Sequence, residues 1–545
     1  MKGIIGELLN RKGITLILYL SALIPLIIFV TSILAPSTEY DQVSVPVLHT
    51  TTIRFAQWAA LLLGIILSLL VRWQFSQTDA GLKVNTGSSN ENLSARIGYA
   101  IVGLFCLYLG LFYQSAYHSF YLQEHDFLNI AAALPHSGLL ETPYVNTGPT
   151  GSFLGHHFSP FLLLLKPVFW VFSLMPRADY STYMLPLYLG ACLGVFLWYR
   201  AGILYIRKTH AWLLPVLACF LVCNPLILRL SLSFHFEVFV LPLSAACLLL
   251  RSSRWYWLSL LLLLMVKEDI ALYVFLLSGS FFLFNWRANR SEPGLQGGSP
   301  AFNPENQRRL KFTTIASGIY LLLAILSQRT LAGGTGADWS HYWLEAFEWK
   351  GTQSTGFLLI LLAGGWMALV QPRLTLPLIL ILILHALSRH PWHNSFQSHY
   401  VYSVLPIILI GVFFLGTRGF VLLLPLMLFA GLLDRSTPLP LLEKRSYDTL
   451  HILNQIESNS CVRSSRHISV RIPLSSRPFP LYPIEGNPMA STDLCQPPPE
   501  EGCQRMYLLL ESQDTPRLHG CQVQELRFRA NTEHLNLFEY VQPGN

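Results

Sequence analysis

The chain has 545 residues, of which 52% are hydrophobic and only 12% are charged, whereas about a quarter of the residues in soluble domains are charged. The formal net charge is +7, but the cations stand in short loops between apolar runs, a pattern typical of membrane orientation signals and not of nucleic-acid binding. The composition therefore excludes an ordinary soluble enzyme, argues against nucleic acid as a partner, and predicts a polytopic membrane protein.

The N-terminal part is predicted to contain two spans. The apolar segment 14–34 follows a basic start and is longer than the core of a signal peptide, which has roughly 7–15 residues. We therefore interpret it as an uncleaved first span. A second span is predicted at 54–71, so that residues 1–96 comprise two transmembrane helices and a cytoplasmic loop.

The main membrane domain is predicted at 97–433, with a large first outer loop at 118–180. Its apolar segments lie at 97–117, 181–199, 211–229, 236–250, 255–266, 270–286, 312–331, 356–370, 374–388, 400–415 and 419–433. Together with the first two spans they predict an all-α polytopic protein with about 11–13 transmembrane helices.

Loop cations set the predicted orientation. The basic N-terminus and the polar loop 287–311, with its five cations, would lie in the cytoplasm under the positive-inside rule. The outer loop 118–180 and the tail from Asp434 would then lie outside. We predict a bacterial inner-membrane protein with a cytoplasmic N-terminus and an extracytoplasmic C-terminal domain.

The apolar stretch 158–175 contains Lys166 and Pro167 at its centre. Counting it as a crossing would place the following cations on the outside. We therefore predict a juxtamembrane element in the outer interface, with a helix that is broken at the proline.

The apolar stretch 255–284 contains Lys267, Glu268 and Asp269 at its centre. A single span would bury three charges, each at a cost of about 2.5–3.5 kcal/mol. We therefore predict two short helices, with the charged residues at an outer turn that dips into a water-filled cavity.

The tail, residues 434–545, alternates β-forming residues with turns rich in proline and glycine, which predicts a small α/β or β-rich domain. It contains Cys461, Cys495, Cys503 and Cys521. Four cysteines on an oxidising side are compatible with disulfides, and all three pairings are open. The remaining cysteines lie in apolar segments, where a thiol is usually a small hydrophobic residue.

Ionisable and polar side chains within or beside spans collect on the predicted outer side. They are Glu124, Asp126, His156, His157, His235, Glu237, Lys267, Glu268, Asp269, His399 and Tyr400. Ionisable residues at membrane depth are read as functional by default, because burial there is costly. Each also has a plain structural reading, as a solvated interfacial turn or as a satisfied buried pair.

These residue types are suited to a reaction in which a phosphate group is bound and leaves. An outward carboxylate can act as a general base, and clustered carboxylates can hold a divalent cation, Mg²⁺ or Mn²⁺, for which Glu237, Glu268 and Asp269 are the candidates. A lysine supplies a point charge for phosphate. The candidates for phosphate or substrate binding are His156, His157, His235, Lys267, His399 and Tyr400.

Four sequence blocks, "GHHFSPFLLLLKP", "FHFEVFVLPL", "VKED" and "SHYVYSVLPIIL", resemble the predicted membrane proteins of domain-of-unknown-function family 2079, which is grouped with the GT-C glycosyltransferases. The resemblance covers about residues 97–530. It implies a GT-C-like fold whose first outer loop carries a catalytic acidic residue, here Asp126, with Glu124 as the alternative. It also implies that the juxtamembrane helix lies near the substrates, and His157 with it.

The sequence therefore predicts an integral-membrane glycosyltransferase that moves a sugar from a polyprenyl-phosphate donor to an unknown acceptor on the extracytoplasmic face of the cell envelope. Its partners would be the lipid-linked sugar and membrane lipid. The alternatives are a lipid-carrier transporter or flippase, and a non-catalytic scaffold. The one-sided grouping of polar residues and the absence of a sequence repeat favour the enzyme over a transporter.

Overall fold

A computed structural model describes most of the chain from residue 88 to residue 540. The described residues are 88–118, 130–131, 153–173, 183–210, 213–291, 304–331, 351–388, 393, 396, 398–414, 423, 426–427, 430, 451–457, 460–465, 477–481, 503–511, 526–533 and 535–540. The two predicted N-terminal spans lie outside them.

The described membrane region is helical. Its helices are α1 Ser88–His118, α2 Phe153–His156, α3 Phe161–Ser173, α4 Met184–His210, α5 Leu214–Cys223, α6 Pro225–Leu232, α7 Val240–Leu249, α8 Trp255–Val266, α9 Ile270–Ser291, α10 Pro304–Leu331, α11 Gly351–Ile360, α12 Trp366–Val370, α13 Pro372–Ala386 and α14 Leu405–Phe413. Short 3-10 turns at Phe236–Phe239 and Ser398–Ser403 and a π-helical turn at Leu361–Gly365 connect some of them.

Three of these helices contain segments long and apolar enough to cross a membrane: Leu93–Tyr113, Met184–Tyr205 and Asn306–Leu331. The pair α5 and α6 passes the same test together, although it is bent by 50°. Shorter apolar helices of 10–17 residues are also present, and many large hydrophobic side chains of the helices are exposed. The predicted class, a helical membrane protein, is confirmed.

Two of the helix breaks have a local cause in the sequence. α5 ends and α6 begins at Asn224-Pro225, where the residue before proline has extended backbone angles, as proline requires. The Asn224 side chain then caps α6 by accepting a hydrogen bond from the Leu226 amide at 2.9 Å. The predicted break between 266 and 270 is present, since Lys267 is extended and ends α8.

The juxtamembrane prediction was wrong in one respect. α3 runs from Phe161 to Ser173 with Pro167 inside it, so the proline does not end the helix. A proline removes one backbone hydrogen bond of the helix, but this helix continues across it and packs on its neighbours. Phe161, for instance, contacts Phe239 with ring centroids 4.9 Å apart.

The C-terminal region forms a five-stranded mixed sheet, as the β-rich prediction required. Its strands are β1 Ser460–Ser465, β2 Arg477–Leu481, β3 Arg505–Glu511, β4 Leu526–Asn531 and β5 Leu535–Tyr540, in the order β2-β1-β3-β5-β4. The pairs β1–β2 and β1–β3 are parallel, whereas β3–β5 and β4–β5 are antiparallel.

Both faces of this sheet carry buried side chains. On one face, Ile452, Leu453 and Ile456 pack against strand residues that include Val462 and Tyr507. On the other, Cys461 forms a disulfide with Cys503. The structure therefore selects one of the possible cysteine pairs, and Cys495 and Cys521 lie outside the described residues.

Candidate functional site

Four interruptions between helices supply the candidate site. They are the segments 157–160, 233–237, 267–269 and 398–403, each of which separates two helices. A backbone that leaves the helix in the interior of a bundle exposes polar groups, which makes such breaks suitable places for ligands. Side chains from all four segments meet in one buried cluster.

Glu237 is the centre of the cluster. The His235 Nδ1 atom contacts its Oε2 atom directly, and the Lys267 ammonium donates a hydrogen bond to its Oε1 atom at 2.8 Å. The His399 Nε2 atom lies 3.9 Å from the same Oε1 atom. Glu237 has no exposed surface, so its charge is compensated by protein groups and not by water.

Lys267 is held on two sides. Besides its bond to Glu237, its Nζ atom lies 5.3 Å from the ring centre of Tyr402 and 5.6 Å from that of Tyr400. Aromatic faces stabilise a cation within about 6 Å. The side chain is only 5% exposed, so this lysine is a buried, paired cation.

The two carboxylates that follow Lys267 point to other partners. Tyr402 donates a hydrogen bond to Asp269 Oδ2, and Tyr273 donates to the same oxygen at 3.2 Å. Glu268 faces His157 instead, with its Oε1 atom 3.6 Å from Nδ1 of that residue. The turn therefore distributes its three charges over three directions.

His235 and His399 stack face to face, with ring centroids 3.7 Å apart and planes only 10° from parallel. Two imidazolium ions at that distance would repel each other strongly. The stack holds both imidazoles beside the Glu237 carboxylate.

A second layer holds the 398–403 segment in place. His385 on α13 donates from Nδ1 to the carbonyl of His393 at 3.0 Å, and its Nε2 atom lies 3.0 Å from the Ser403 hydroxyl. Arg229 on α6 donates to the carbonyl of Phe396 at 2.7 Å. These contacts fix the segment that carries His399, and the tyrosines with it.

Two residues beside the site adopt backbone angles that side chains rarely take. Phe234, which precedes His235, has φ of 54°, and Phe396 has φ of 52°. Each such residue costs of order 1–3 kcal/mol, and such strain is concentrated at functional sites. Phe234 is retained by packing on Tyr113 with ring centroids 4.9 Å apart.

The structure brings most of the predicted site residues together. These are His157, His235, Glu237, Lys267, Glu268, Asp269, His399 and Tyr400. The backbone of His156 ends α2, and its side chain lies outside the described part. The predicted catalytic carboxylates Asp126 and Glu124 also lie outside the described residues, so their roles stay predictions.

Sequence reasoning missed Tyr402 and His385. Tyr402 could have been found, because it stands two residues after Tyr400 in the same block. His385 gave no such signal, since it is a single histidine within the apolar run of α13. Its bridging role depends on a contact with Ser403, 18 residues away.

The cluster contains one compact set of metal-ligand atoms. Among the described residues, donor atoms of His235, Glu237 and His399 lie within 4.8 Å of one another. The set predicted from sequence was Glu237, Glu268 and Asp269, and these three do not form such a group. Glu237 is also engaged by Lys267 at 2.8 Å, which competes with a cation for this carboxylate.

Comparison with known proteins finds a matching family and similar solved structures. The family described as "Predicted membrane protein (DUF2079)" matches residues 108–476. A crystal structure of ArnT from Cupriavidus metallidurans bound to undecaprenyl phosphate is similar with a TM-score of 0.45 and 13% identity, over 81% of this chain and 98% of that chain. A similarity of this size assigns neither a substrate nor a site residue. No curated protein matches the sequence.

Proposed function

Because the chain belongs to the DUF2079 family of predicted membrane proteins, we propose a reaction that takes place at the surface of a lipid bilayer. The proposed activity is transfer of a sugar from a polyprenyl-phosphate donor to an acceptor on the extracytoplasmic face of a bacterial inner membrane. The donor's lipid tail would stay in the bilayer while its phosphate enters the polar cluster.

The observation that carries this proposal is the buried cation Lys267, placed by a helix break among apolar helices. An ammonium group has three N–H donors, and Glu237 takes one of them. The remaining donors could meet the phosphate of a lipid as it leaves the sugar, with His157 at the edge of the cluster. His157 is 22% exposed, so it is more accessible than Lys267.

The reaction also needs a group that accepts the proton of the acceptor. Asp126 is the proposed general base, with Glu124 as the alternative, because the family resemblance implies a catalytic carboxylate at this position in the first outer loop. A carboxylate in hydrogen-bond reach of a hydroxyl can take its proton as the new glycosidic bond forms. The oxygen of the lipid phosphate then leaves with the electrons of the broken bond.

The proposed reaction includes a divalent cation that stabilises the leaving phosphate. When bound, Mg²⁺ or Mn²⁺ would neutralise phosphate charge. Of the three carboxylates predicted to hold it, Glu237 fits poorly, because Lys267 and His235 already occupy it. Glu268 and Asp269 fit better, since each retains a buried oxygen without a hydrogen-bond partner in the described region.

The proposed activity is tested by comparing lipid-linked sugars and cell-surface glycans in cells with and without the protein. We expect a polyprenyl-phosphate sugar to accumulate and a surface glycan to lose one sugar when the gene is deleted. Wild-type protein should restore the glycan, whereas Asp126→Asn should not, although it inserts normally into the membrane. Unchanged glycans and lipids in the deletion strain would contradict the proposal.

A lipid-carrier transporter is the second candidate, and the broken helices favour it. The 50° bend between α5 and α6 and the π-helical turn at Leu361–Gly365 resemble the discontinuous helices of transporters. Movement of a labelled lipid-sugar across proteoliposomes, without any change in an acceptor, would support the transporter over the enzyme.

A further inference from the structure

The turn at residues 250–254 joins α7 to α8 at the ends of these helices that lie away from the polar cluster. α7 begins at Val240, close after Glu237, and α8 ends at Val266, next to Lys267. α8 has 12 residues, so its two ends are about 18 Å apart. The turn is therefore a separate surface, which the proposed sugar transfer does not use.

This turn carries two exposed arginines whose described side-chain partners are neutral. Arg251 donates to the Tyr205 hydroxyl on α4, and its guanidinium lies 5.1 Å from the centre of the same ring. The Arg254 guanidinium lies 5.4 Å from the ring centre of Trp255. Among the described residues, neither arginine forms an ion pair with a carboxylate. An arginine does not lose its charge in a protein, so the turn presents two permanent positive charges.

A third arginine, Arg309 on α10, fixes the shape of the turn. Its guanidinium donates to three consecutive backbone carbonyls, those of residues 251–253, at 3.3 Å for the last two. A hydrogen bond of 2.8 Å between the hydroxyls of Tyr256 and Thr313 also joins α8 to α10. The turn is therefore held by contacts on two helices, and charges that are already held in place lose little freedom when a ligand binds.

The side chains that follow the turn place it at the level of lipid headgroups. Trp255 and Trp257, in the first turn of α8, are both exposed, and tryptophan is enriched where a membrane meets water. Leu258 and Leu261, further along α8, are exposed as well, as expected for side chains that face acyl chains. Cations at headgroup level, next to an apolar face, match the two halves of an anionic phospholipid.

We propose that Arg251 and Arg254 bind the headgroup of an anionic phospholipid of the surrounding bilayer. A guanidinium has five N–H donors in a planar fork that matches phosphate oxygens, and Tyr205 accepts one bond from Arg251. The acyl chains lie along the exposed apolar face of α8. Because Arg251 also contacts α4 through Tyr205, the bound lipid stabilises the packing of α4 against the turn.

The test is native mass spectrometry of the purified full-length protein in detergent, titrated with phosphatidylglycerol or with phosphatidylcholine of the same acyl chains. We expect the wild type to bind one phosphatidylglycerol at least tenfold more tightly than phosphatidylcholine. Arg251→Gln, Arg254→Gln should remove this preference, and Arg254→Gln alone, which keeps the Tyr205 contact, should weaken it at least threefold. Lys166→Gln, at an exposed position on α3, is the matched control and should bind as the wild type does.

Two further arms separate this lipid from other anions. Water-soluble glycerol phosphate should not displace phosphatidylglycerol, because it has no acyl chains. The double variant Lys267→Met, Glu237→Gln should retain the preference for phosphatidylglycerol, because its substitutions lie at the other end of α8. Loss of the preference in that variant would place the lipid at the polar cluster and overturn the proposal.

Thermal unfolding of the same samples gives a second measurement. Phosphatidylglycerol should raise the apparent Tm of the wild type and of Lys166→Gln more than that of Arg251→Gln, Arg254→Gln. A wild type that binds both phospholipids equally, or an unchanged preference in the double arginine variant, would overturn the proposal. Either result would leave the proposed sugar transfer untouched, since that reaction is measured from lipid-linked sugars and surface glycans.

Discussion

At the scale of single residues, the site depends on pairing between charges that the bilayer region would otherwise exclude. Lys267 and Glu237 are 5% and 0% exposed and 2.8 Å apart. Replacing a buried pair with apolar residues can be neutral, but removing one partner leaves an uncompensated charge. A substitution of one partner and a substitution of both partners should therefore differ in their effect on stability.

Lys267→Met should destabilise the protein by about 3–5 kcal/mol, because Glu237 loses its ammonium partner. The double variant Lys267→Met, Glu237→Gln should recover a large part of that loss. The apparent Tm of the purified protein measures both. Lys166→Met, at an exposed position on α3, is the control and should change little. A double variant less stable than Lys267→Met would contradict this pairing.

His385 offers a second residue-level prediction. Its neutral ring donates to the carbonyl of His393 and lies within hydrogen-bond distance of the Ser403 hydroxyl, which a glutamine amide can also do. His385→Leu should cost about 1–3 kcal/mol for each buried partner left unsatisfied, whereas His385→Gln should retain most of the stability.

Thermal unfolding again provides the measurement for His385. Ser403→Ala should fall between the two variants, because it removes one of the two contacts and leaves the other. If His385→Leu were as stable as His385→Gln, packing and not hydrogen bonding would hold the 398–403 segment.

At the scale of elements, two helix interruptions are joined to each other. The Asn224 amide, at the break between α5 and α6, donates to the carbonyl of Ala363 at 2.8 Å. Ala363 lies in the π-helical turn Leu361–Gly365, where Gly364 has φ of 122°. The bond satisfies a backbone carbonyl that the irregular turn leaves free, and it ties the two breaks together.

Gly364→Ala should destabilise the protein by about 1–3 kcal/mol, because a side chain is strained at this φ. A Cβ atom would also lie 2.7 Å from Cε of Met367 and 3.0 Å from Cγ2 of Ile408. Gly103→Ala on α1 is the matched control, since its Cβ would meet no atom within 4 Å. There the helix should gain about 0.5–1 kcal/mol. Changes of opposite sign in the apparent Tm of the two variants, relative to the wild type, check the prediction.

At the scale of the whole molecule, an apolar helical region and a disulfide-bonded sheet coexist in one chain. The sheet buries Cys461 completely, and the Cys461–Cys503 bond spans 42 residues of sequence. Disulfides persist in oxidising compartments. The proposed outward placement of the tail therefore has a chemical consequence that can be measured.

Protein isolated from membranes without reductant should contain the Cys461–Cys503 bond. Labelling of the denatured protein with a maleimide-polymer should give the same number of adducts for wild type and for Cys461→Ser, Cys503→Ser, and reduction should add at least two to the wild type. The double variant should lose about 2–5 kcal/mol of stability in the C-terminal domain. Full labelling of both cysteines without reduction would place the tail on the reducing side.

Much of the architecture follows from the sequence alone. Because a bilayer excludes charges and unpaired backbone groups, apolar runs had to become helices, and three charges between two leucine-rich runs had to mark a break. The structure places that break at 267–269, between α8 and α9. The C-terminal sheet was likewise predictable from alternating β-formers and turn residues. The continuous α3 was not, because a proline inside a helix removes one hydrogen bond without always ending the helix.

The contacts within the cluster were decided by tertiary structure. Lys267 meets Oε1 of Glu237, 30 residues away, and Tyr402 reaches Asp269 across 133 residues. Both contacts depend on how the helices pack and not on local spacing. The sequence predicts that these groups lie on one side of the membrane. Only the folded chain decided that Glu237 is neutralised from within while Glu268 and Asp269 keep unused oxygens, because electrostatic balance depends on distances in three dimensions.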